Sequence, residues 1–352
     1  MRDADTAERD VAIRMIRDSA AAIAPRGDLR RIRALRHTEC GFDPAVLRQM
    51  GELGWIGLRL PEAAGGADLG MTACCALAEE LGRALVPEPL IPAMLSAALL
   101  SACGEEALLA RVLAGKALVT TAWQERVDTL HAPGTPGAPR LFIPLVRGAE
   151  AFLLPVDTAL HLLPAAGRAL EVLATQDGGH LGTLHPDAGA TRALDELPEG
   201  AMDRALDEAA LATAGYLLGV MEGAFAMTLD YLRTRQQFGR PIGTFQALQH
   251  RAVDLKIQLA LTRASVEAAA ATLDAGADAR TRAAAVSRAK ARAAEAAMLV
   301  TRAAVQMHGA IGYTDEHDIG LYLRKAMVAC NAFGSGVLHR RRFVASAPDE
   351  DD

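Results

Sequence analysis

Aromatic residues are scarce in this chain. Two Trp, four Tyr and eight Phe amount to 4% of 352 residues, although 51% of the chain is hydrophobic. Apolar content of that kind rests on alanine and leucine, the composition of a helix-rich soluble protein. Cysteine is sparse and odd in number. The five residues, with Cys74 and Cys75 adjacent, do not form the pattern of a disulfide framework and imply a reducing cytoplasm. An excess of positive charge is also lacking: 37 Lys and Arg against 43 Asp and Glu leave a net charge of −6, which argues against a nucleic-acid partner. No secretory leader is expected, because Arg2, Asp3, Asp5, Glu8 and Arg9 precede any apolar run. The most membrane-like stretch, residues 209–227, contains Glu222 and continues as an amphipathic helix, so burial without membrane insertion is the expectation. There is no glycine-rich strand-to-helix phosphate loop and no tandem repeat. His308, His317 and Asp318 resemble neither a metal cluster nor the partners of a serine nucleophile, so no metal is expected.

What is there is a run of helices, a patch of short strands, and a longer run of helices. Residues 5–24 read as a helix with Val11, Met15 and Ala22 on one face. The arginines at 30, 31, 33 and 36 read as a solvated helix face rather than an anion site. Asp43-Pro44 opens another helix, a capping carboxylate followed by proline in the first turn, which ends near Gly54. After the Pro61–Gly70 loop, helices are expected over about 71–86, 89–103 and 105–115. From Ala117 the pattern changes to VTTAW, RLFIPLV, AFLLPV, ALHLL, ALEVLA and HLGTLH, short runs separated by Gly, Pro and Asp that read as strands. Long helices return at about 203–236, 245–274, 279–309, 316–330 and 335–346, enough for an antiparallel bundle with short connections. The expected division is an N-terminal α-helical domain at 1–116, a middle β domain at 117–198, a C-terminal helical bundle at 199–346 and an acidic tail at 347–352.

The stretch that organises the rest is RTRQQFGRPIGTFQALQH, residues 233–250. Leu218, Met221, Phe225, Leu229 and Leu232 form one apolar face before it, and Leu248, Ala252, Leu255, Leu259 and Thr262 resume the period after it. Gly239 and Pro241 interrupt the helix. Arg235 and Phe238 therefore sit at a corner, where a planar charged fork and an aromatic face can meet a ligand. Taken singly, Arg235 reads as a surface charge and Phe238 as core.

The pattern RxxFGxPIGxFQxxQH resembles the signature of the acyl-CoA dehydrogenase family. QMHGAIGY at 306–313 is close to that family's Q-x-x-G-G-x-G-[YF], and LGWIGLRLPEAAGGADLG at 53–70 with EELGRAL at 79–85 is a third match in the family's order. The resemblance spans most of the chain and is weak over about 120–200. It implies a mainly α fold with a small, barrel-like β domain and a C-terminal four-helix bundle. It also implies FAD, an acyl-CoA substrate, α,β-dehydrogenation in fatty-acid or steroid side-chain metabolism, and an electron-transfer flavoprotein as acceptor.

Carried over residue by residue, Arg235, Phe238, Gln306 and Gly309 correspond to family residues that contact FAD bound mainly by a neighbouring subunit. Ala310 replaces the family's second glycine and narrows the space. Gln124-Glu125-Arg126 corresponds best to the family's Thr-Glu-Pro, with Gln124 in place of the threonine hydroxyl as donor to the flavin ring. Trp123 either stacks near that ring or packs in the core. The family's usual Gly-Ser-Asp continuation is missing.

The base is where the sequence departs. Counting from Gln306, Phe333-Gly334-Ser335 stands where the family carries Glu-Gly-Thr, and phenylalanine accepts no proton. Some members carry the glutamate on the first long helix of the C-terminal domain; that position falls on Ala209, with Glu208 adjacent, about 100° around the helix. Glu208 is the candidate base, and Glu222 a weaker one. Two readings follow. One is a dehydrogenase active in its own right. The other is a non-catalytic subunit that completes the FAD site of a heteromeric enzyme. Either implies a dimer or tetramer, homo- or hetero-oligomeric, with an acyl-CoA dehydrogenase-like subunit. His339 with Arg340, Arg341 and Arg342 reads as a solvated basic helix end.

Overall fold

The structure, a computed structural model, describes residues 2–347, without the side chains of residues 2–10 and 188. The acidic tail expected from sequence lies outside the described residues from 348 onward. Helices α1 (Arg2–Ile23), α2 (Arg30–Leu35), α3 (Pro44–Glu52), α4 (Met71–Arg83), α5 (Leu90–Ala102) and α6 (Glu106–Leu113) come first. Strands β1 (Val119–Thr121), β2 (Arg140–Pro144), β3 (Ala151–Val156), β4 (Ala159–Pro164), β5 (Leu170–Ala174), β6 (His180–Leu184) and β7 (Arg192–Glu196) follow. The chain ends in α7 (Ala201–Thr234), α8 (Gln246–Asp274), α9 (Ala279–His308), α10 (Ile319–Ala329) and α11 (Gly336–Ser346), with a two-stranded hairpin, β8 (Gln236–Gln237) and β9 (Arg240–Pro241), between α7 and α8. The fold is mainly α with a small β region.

Two compact units divide the chain differently from the three sequential ranges: residues 1–32, 75–86 and 211–352 form one, and residues 33–74 and 87–210 the other. In the second unit the strands make two sheets, ordered β1-β3-β4-β7 and β2-β6-β5. β1 pairs parallel with β3, Val119 opposite Ala151, and the other pairings are antiparallel. Ala122, Ile143, Val146, Phe152, Leu154, Leu163 and Leu184 come from both sheets and form one buried core, as the period-two alternation of each strand requires. The same unit buries Arg140, which meets Glu125 at 3.0 Å and donates to the carbonyls of Ala138 and Pro155. Asp43 caps α3, its side chain accepting from the Ala45 amide, with Pro44 in the first turn.

In the first unit α9 is central, and α8, α10 and α11 all pack against it. Its buried positions are mostly alanine, including Ala284, Ala289, Ala293 and Ala297, so neighbouring backbones come close. α7 has the length and hydropathy of a membrane span, but 72% of its apolar window is buried within the protein, as a core helix would be. Gly219 of α7 allows a still closer approach: a Cβ there would lie 1.9 Å from the Glu79 carbonyl oxygen.

An ion network joins four helices of this unit. Glu79 and Glu80 of α4 are each 3% exposed. Arg17 of α1 meets both, Arg83 of α4 meets both and also Glu222 of α7, and Arg263 of α8 meets Glu79 at 2.7 Å and Glu222. Burial alone pushes the Glu79 carboxyl up, yet hydrogen bonds from Arg263 and Arg17 outweigh it and hold the group below its ordinary range. The network also corrects the face expected for α1. Val11 and Met15 are exposed, and Ile16, Ala20 and Ala24 are buried. Arg17, next to buried Ile16, reaches Glu79 and Glu80 of α4 from this face.

Candidate functional site

The corner after α7 is a hairpin rather than a simple break. The Arg235 amide still donates to the Tyr231 carbonyl at 2.8 Å. The chain then reverses with Gln237 opposite Arg240, and both turn residues are left-handed, Phe238 at φ 54° and Gly239 at φ 76°. Two consecutive positive φ values match the twist of a two-residue hairpin, a position usually given to Asn-Gly. A phenylalanine there is strained. It is also 87% exposed. Its ring meets Phe245 edge-on at 6.0 Å, and the Arg240 guanidinium lies 4.3 Å above the Phe245 ring. Arg235 is exposed, and among the described residues its side chain has no carboxylate within ion-pair distance.

The second segment begins where α9 ends. Gly309, at φ 66°, donates its amide to the Gln306 carbonyl, and a Cβ on it would meet nothing within 4 Å. Gln306 is exposed and accepts from the Tyr313 hydroxyl at 3.1 Å. An aromatic stack brings the two segments together. The Tyr231 ring lies on His308 at 4.4 Å, His308 lies 4.6 Å from His317, and Tyr231 meets His317 edge-on at 6.0 Å. His308 donates from Nδ1 to the Ala304 carbonyl, and burial lowers its pKa, so the ring stacks as a neutral imidazole. Arg235 stands one turn beyond Tyr231, while Gln306 and Gly309 flank His308. Among the described residues no cluster of three metal-ligating side chains occurs. Next to Gln306, between α8 and α9, lies a cleft of about 780 Å³ lined by Arg251, Gln258, Arg302 and Tyr313.

The acids considered as bases are all engaged. Glu208 meets Arg59 at 2.7 Å and Arg204 at 3.4 Å. Glu222 belongs to the ion network. Phe333 is half-buried and left-handed, φ 53°, and is followed by Gly334 at φ 97°. In the other unit Trp123 is 7% exposed, and the Gln124 amide donates to the Arg126 carbonyl at 3.0 Å. His339 departs from the expected solvated helix end: it is fully buried against α9, and of its neighbours Arg340 pairs with Glu295 and Arg342 donates to Ser287. α11 is short, so the face packed on α9 takes in part of its basic run.

Sequence reasoning gave no role to Tyr231, two residues before the first motif, or to Tyr313, the last residue of the second. With only four tyrosines in the chain, their position was a usable signal.

Two family models match the chain: the acyl-CoA dehydrogenase N-terminal domain over residues 12–118 and the acyl-CoA dehydrogenase C-terminal domain over residues 199–347. The acyl-CoA dehydrogenase IpdE2 of Mycolicibacterium smegmatis is 33% identical over 341 residues, 94% of this chain and 97% of that one. Among solved structures, the Tcur3481-Tcur3483 steroid ACAD variant superposes with a TM-score of 0.82 at 28% identity, covering 98% of both chains. The ChsE4-ChsE5 complex from Mycobacterium tuberculosis gives 0.83 at 26% identity, over 96% of this chain and 98% of that one.

Proposed function

This chain belongs to the acyl-CoA dehydrogenase family, and on that footing we propose that it serves the FAD-dependent α,β-dehydrogenation of an acyl-CoA thioester. One observation carries the reading: the Tyr231–His308–His317 stack ties the end of α7 to the end of α9, so that exposed Arg235 and Phe238 follow one side of the stack in the chain while Gln306 and Gly309 flank the other. The donor set fits the group. Arg235 would hold the diphosphate with its planar fork, Phe238 would pack on a flat ring, Gln306 would offer an amide, and Gly309 leaves open space for close approach. When bound, FAD supplies the hydride acceptor beside the β-carbon of the substrate. A site so exposed suits a cofactor presented by another subunit. Val253, Ile257 and Leu261 of α8 are exposed at four-residue spacing, with Leu299 of α9 also exposed, a surface for a second acyl-CoA dehydrogenase-like subunit. An electron-transfer flavoprotein would take the electrons onward, and the reducing cytoplasm suits five cysteines that form no disulfide.

A second reading, that this chain completes the FAD site of a relative bearing the base, is favoured by the acids. Phe333 accepts no proton, and the Glu208 carboxylate is held by the Arg59 fork.

The test is the purified protein, alone and co-expressed with a second dehydrogenase subunit. Flavin absorbance that bleaches on adding an acyl-CoA to the lone protein supports autonomy, and Glu208→Gln should then abolish the bleaching. A colourless lone protein that gains flavin only on co-expression supports the partner reading. Failure to gain flavin under either condition sinks both. A panel of straight-chain, branched and steroid thioesters reads out the acyl group.

A further inference from the structure

The turn at Phe333 is more heavily built than a connection between two helices requires. Lys290 of α9 is fully buried, and among the described residues it has no carboxylate partner. Its Nζ donates to the carbonyls of Cys330 and Gly334, each at 2.9 Å. His339 of α11, also fully buried, donates from Nε2 to the Phe333 carbonyl at 2.8 Å, while its Nδ1 faces the Ser287 hydroxyl at 3.3 Å. Three carbonyls within five residues are thus taken by two side chains that cost heavily to bury. Capping the end of α10 accounts for the Cys330 carbonyl. It does not account for those of Phe333 and Gly334, which lie beyond the helix. A left-handed phenylalanine is strained and persists where its surroundings over-determine it. Gly334 fits the same arrangement: a Cβ there would lie 2.8 Å from the His339 Nε2. Had the turn served only to reverse the chain, glycine or asparagine at 333 would have done so without strain.

We infer that Lys290 and His339 are positioning residues that fix the direction of the side chain at 333, and that this turn would hold an acid there in the geometry in which it holds Phe333. The inference rests on the proposed dehydrogenase reading, in which 333 is the place of the base. The clamp holds main-chain atoms only, so it is indifferent to which side chain it presents. A carboxylate at 333 would therefore be held in the direction the Phe333 ring now takes.

The experiment places 4-fluorophenylalanine at 333 in the full-length protein, in the oligomer it purifies as, and records the ¹⁹F spectrum. One narrow line is expected for the otherwise wild-type chain. Lys290→Met and His339→Leu should split or shift that line. His339→Gln, which keeps a donor, should leave it in place, and so should Leu259→Ala, a core change in α8 that lowers stability without touching the turn. An unchanged line in both Lys290→Met and His339→Leu, or an equal shift in Leu259→Ala, overturns the clamp; should Lys290→Met not fold, the His339 pair decides. A second arm uses Phe333→Glu and follows deuterium entering the α-carbon of an acyl-CoA in D2O. Exchange should appear in Phe333→Glu and fall at least about tenfold when Lys290→Met is added. If the ¹⁹F results hold and Phe333→Glu exchanges nothing, the clamp stands and the assignment of 333 as the base position fails.

Discussion

Arginine is used in two opposite ways within one unit of this protein. Arg83 and Arg263 sit among Glu79, Glu80 and Glu222, each guanidinium matched by carboxylates and largely removed from water. Arg235 stands at an exposed hairpin and, among the described residues, has no carboxylate to answer it. The first arrangement is satisfied within the chain and leaves nothing to offer a ligand. The second keeps five donors in water, an arrangement that favours an anion arriving from outside. The contrast separates arginines that hold helices together from one held ready for binding, and each prediction below presses on it.

The largest effect belongs to the matched side. Glu79→Gln strands buried guanidinium charges and should destabilise the protein by about 3–5 kcal/mol in denaturant unfolding. The pH dependence has a definite sign. Because the folded carboxyl lies below its ordinary 4.5, its stabilisation is present above that pH and is lost as pH falls through the lowered value. Glu79→Gln should lack that part of the acid limb. An unaltered acid limb would mean that the network is not what holds the helices.

On the unmatched side, Arg235→Ala should leave unfolding within about 0.5 kcal/mol of wild type while weakening flavin retention by about 1.5–3 kcal/mol, read by equilibrium dialysis of the assembled protein. A large stability loss instead would erase the contrast.

Lys290 sharpens it as a third case, a buried cation with no acid beside it among the described residues. Burial lowers its pKa from 10.5 to about 7. Between those values the unfolded chain binds the extra proton, so stability should rise with pH by up to about 1.4 kcal/mol per unit. Lys290→Met should flatten that rise in melts taken across the same range. The smallest effect is expected at the hairpin. Phe238→Gly relieves a left-handed aromatic and should stabilise by about 1 kcal/mol, with weaker flavin retention as the counterpart. No stabilisation would mean that the turn is not strained.

Much of this was legible beforehand because it depends on local rules. The period of Leu218 to Leu232 and of Leu255 to Thr262 gave the bundle helices, and Asp43-Pro44 gave a helix start with its cap. The alternating runs gave most strands but not β7, whose RALDE mixes polar and apolar residues on both faces and so carries no alternation. The face of α1 was misread because Arg17 responds to glutamates about sixty residues away. At the site, the corner at Phe238 was legible but its almost complete exposure was not, since exposure is settled by the hairpin and not by the residue. Lys290 carried no signal of its own in the sequence, because its two carbonyl partners come from a turn forty residues on.

The methyl-lined α9 has a wider consequence. A helix whose inner positions are already close to the smallest side chain has nothing left to trim and no room to grow, so the spacing of the bundle is effectively frozen. Variation in what such a scaffold accommodates must then accumulate at its rims, in hairpins and turns whose lengths and residues can change without moving the axis they surround.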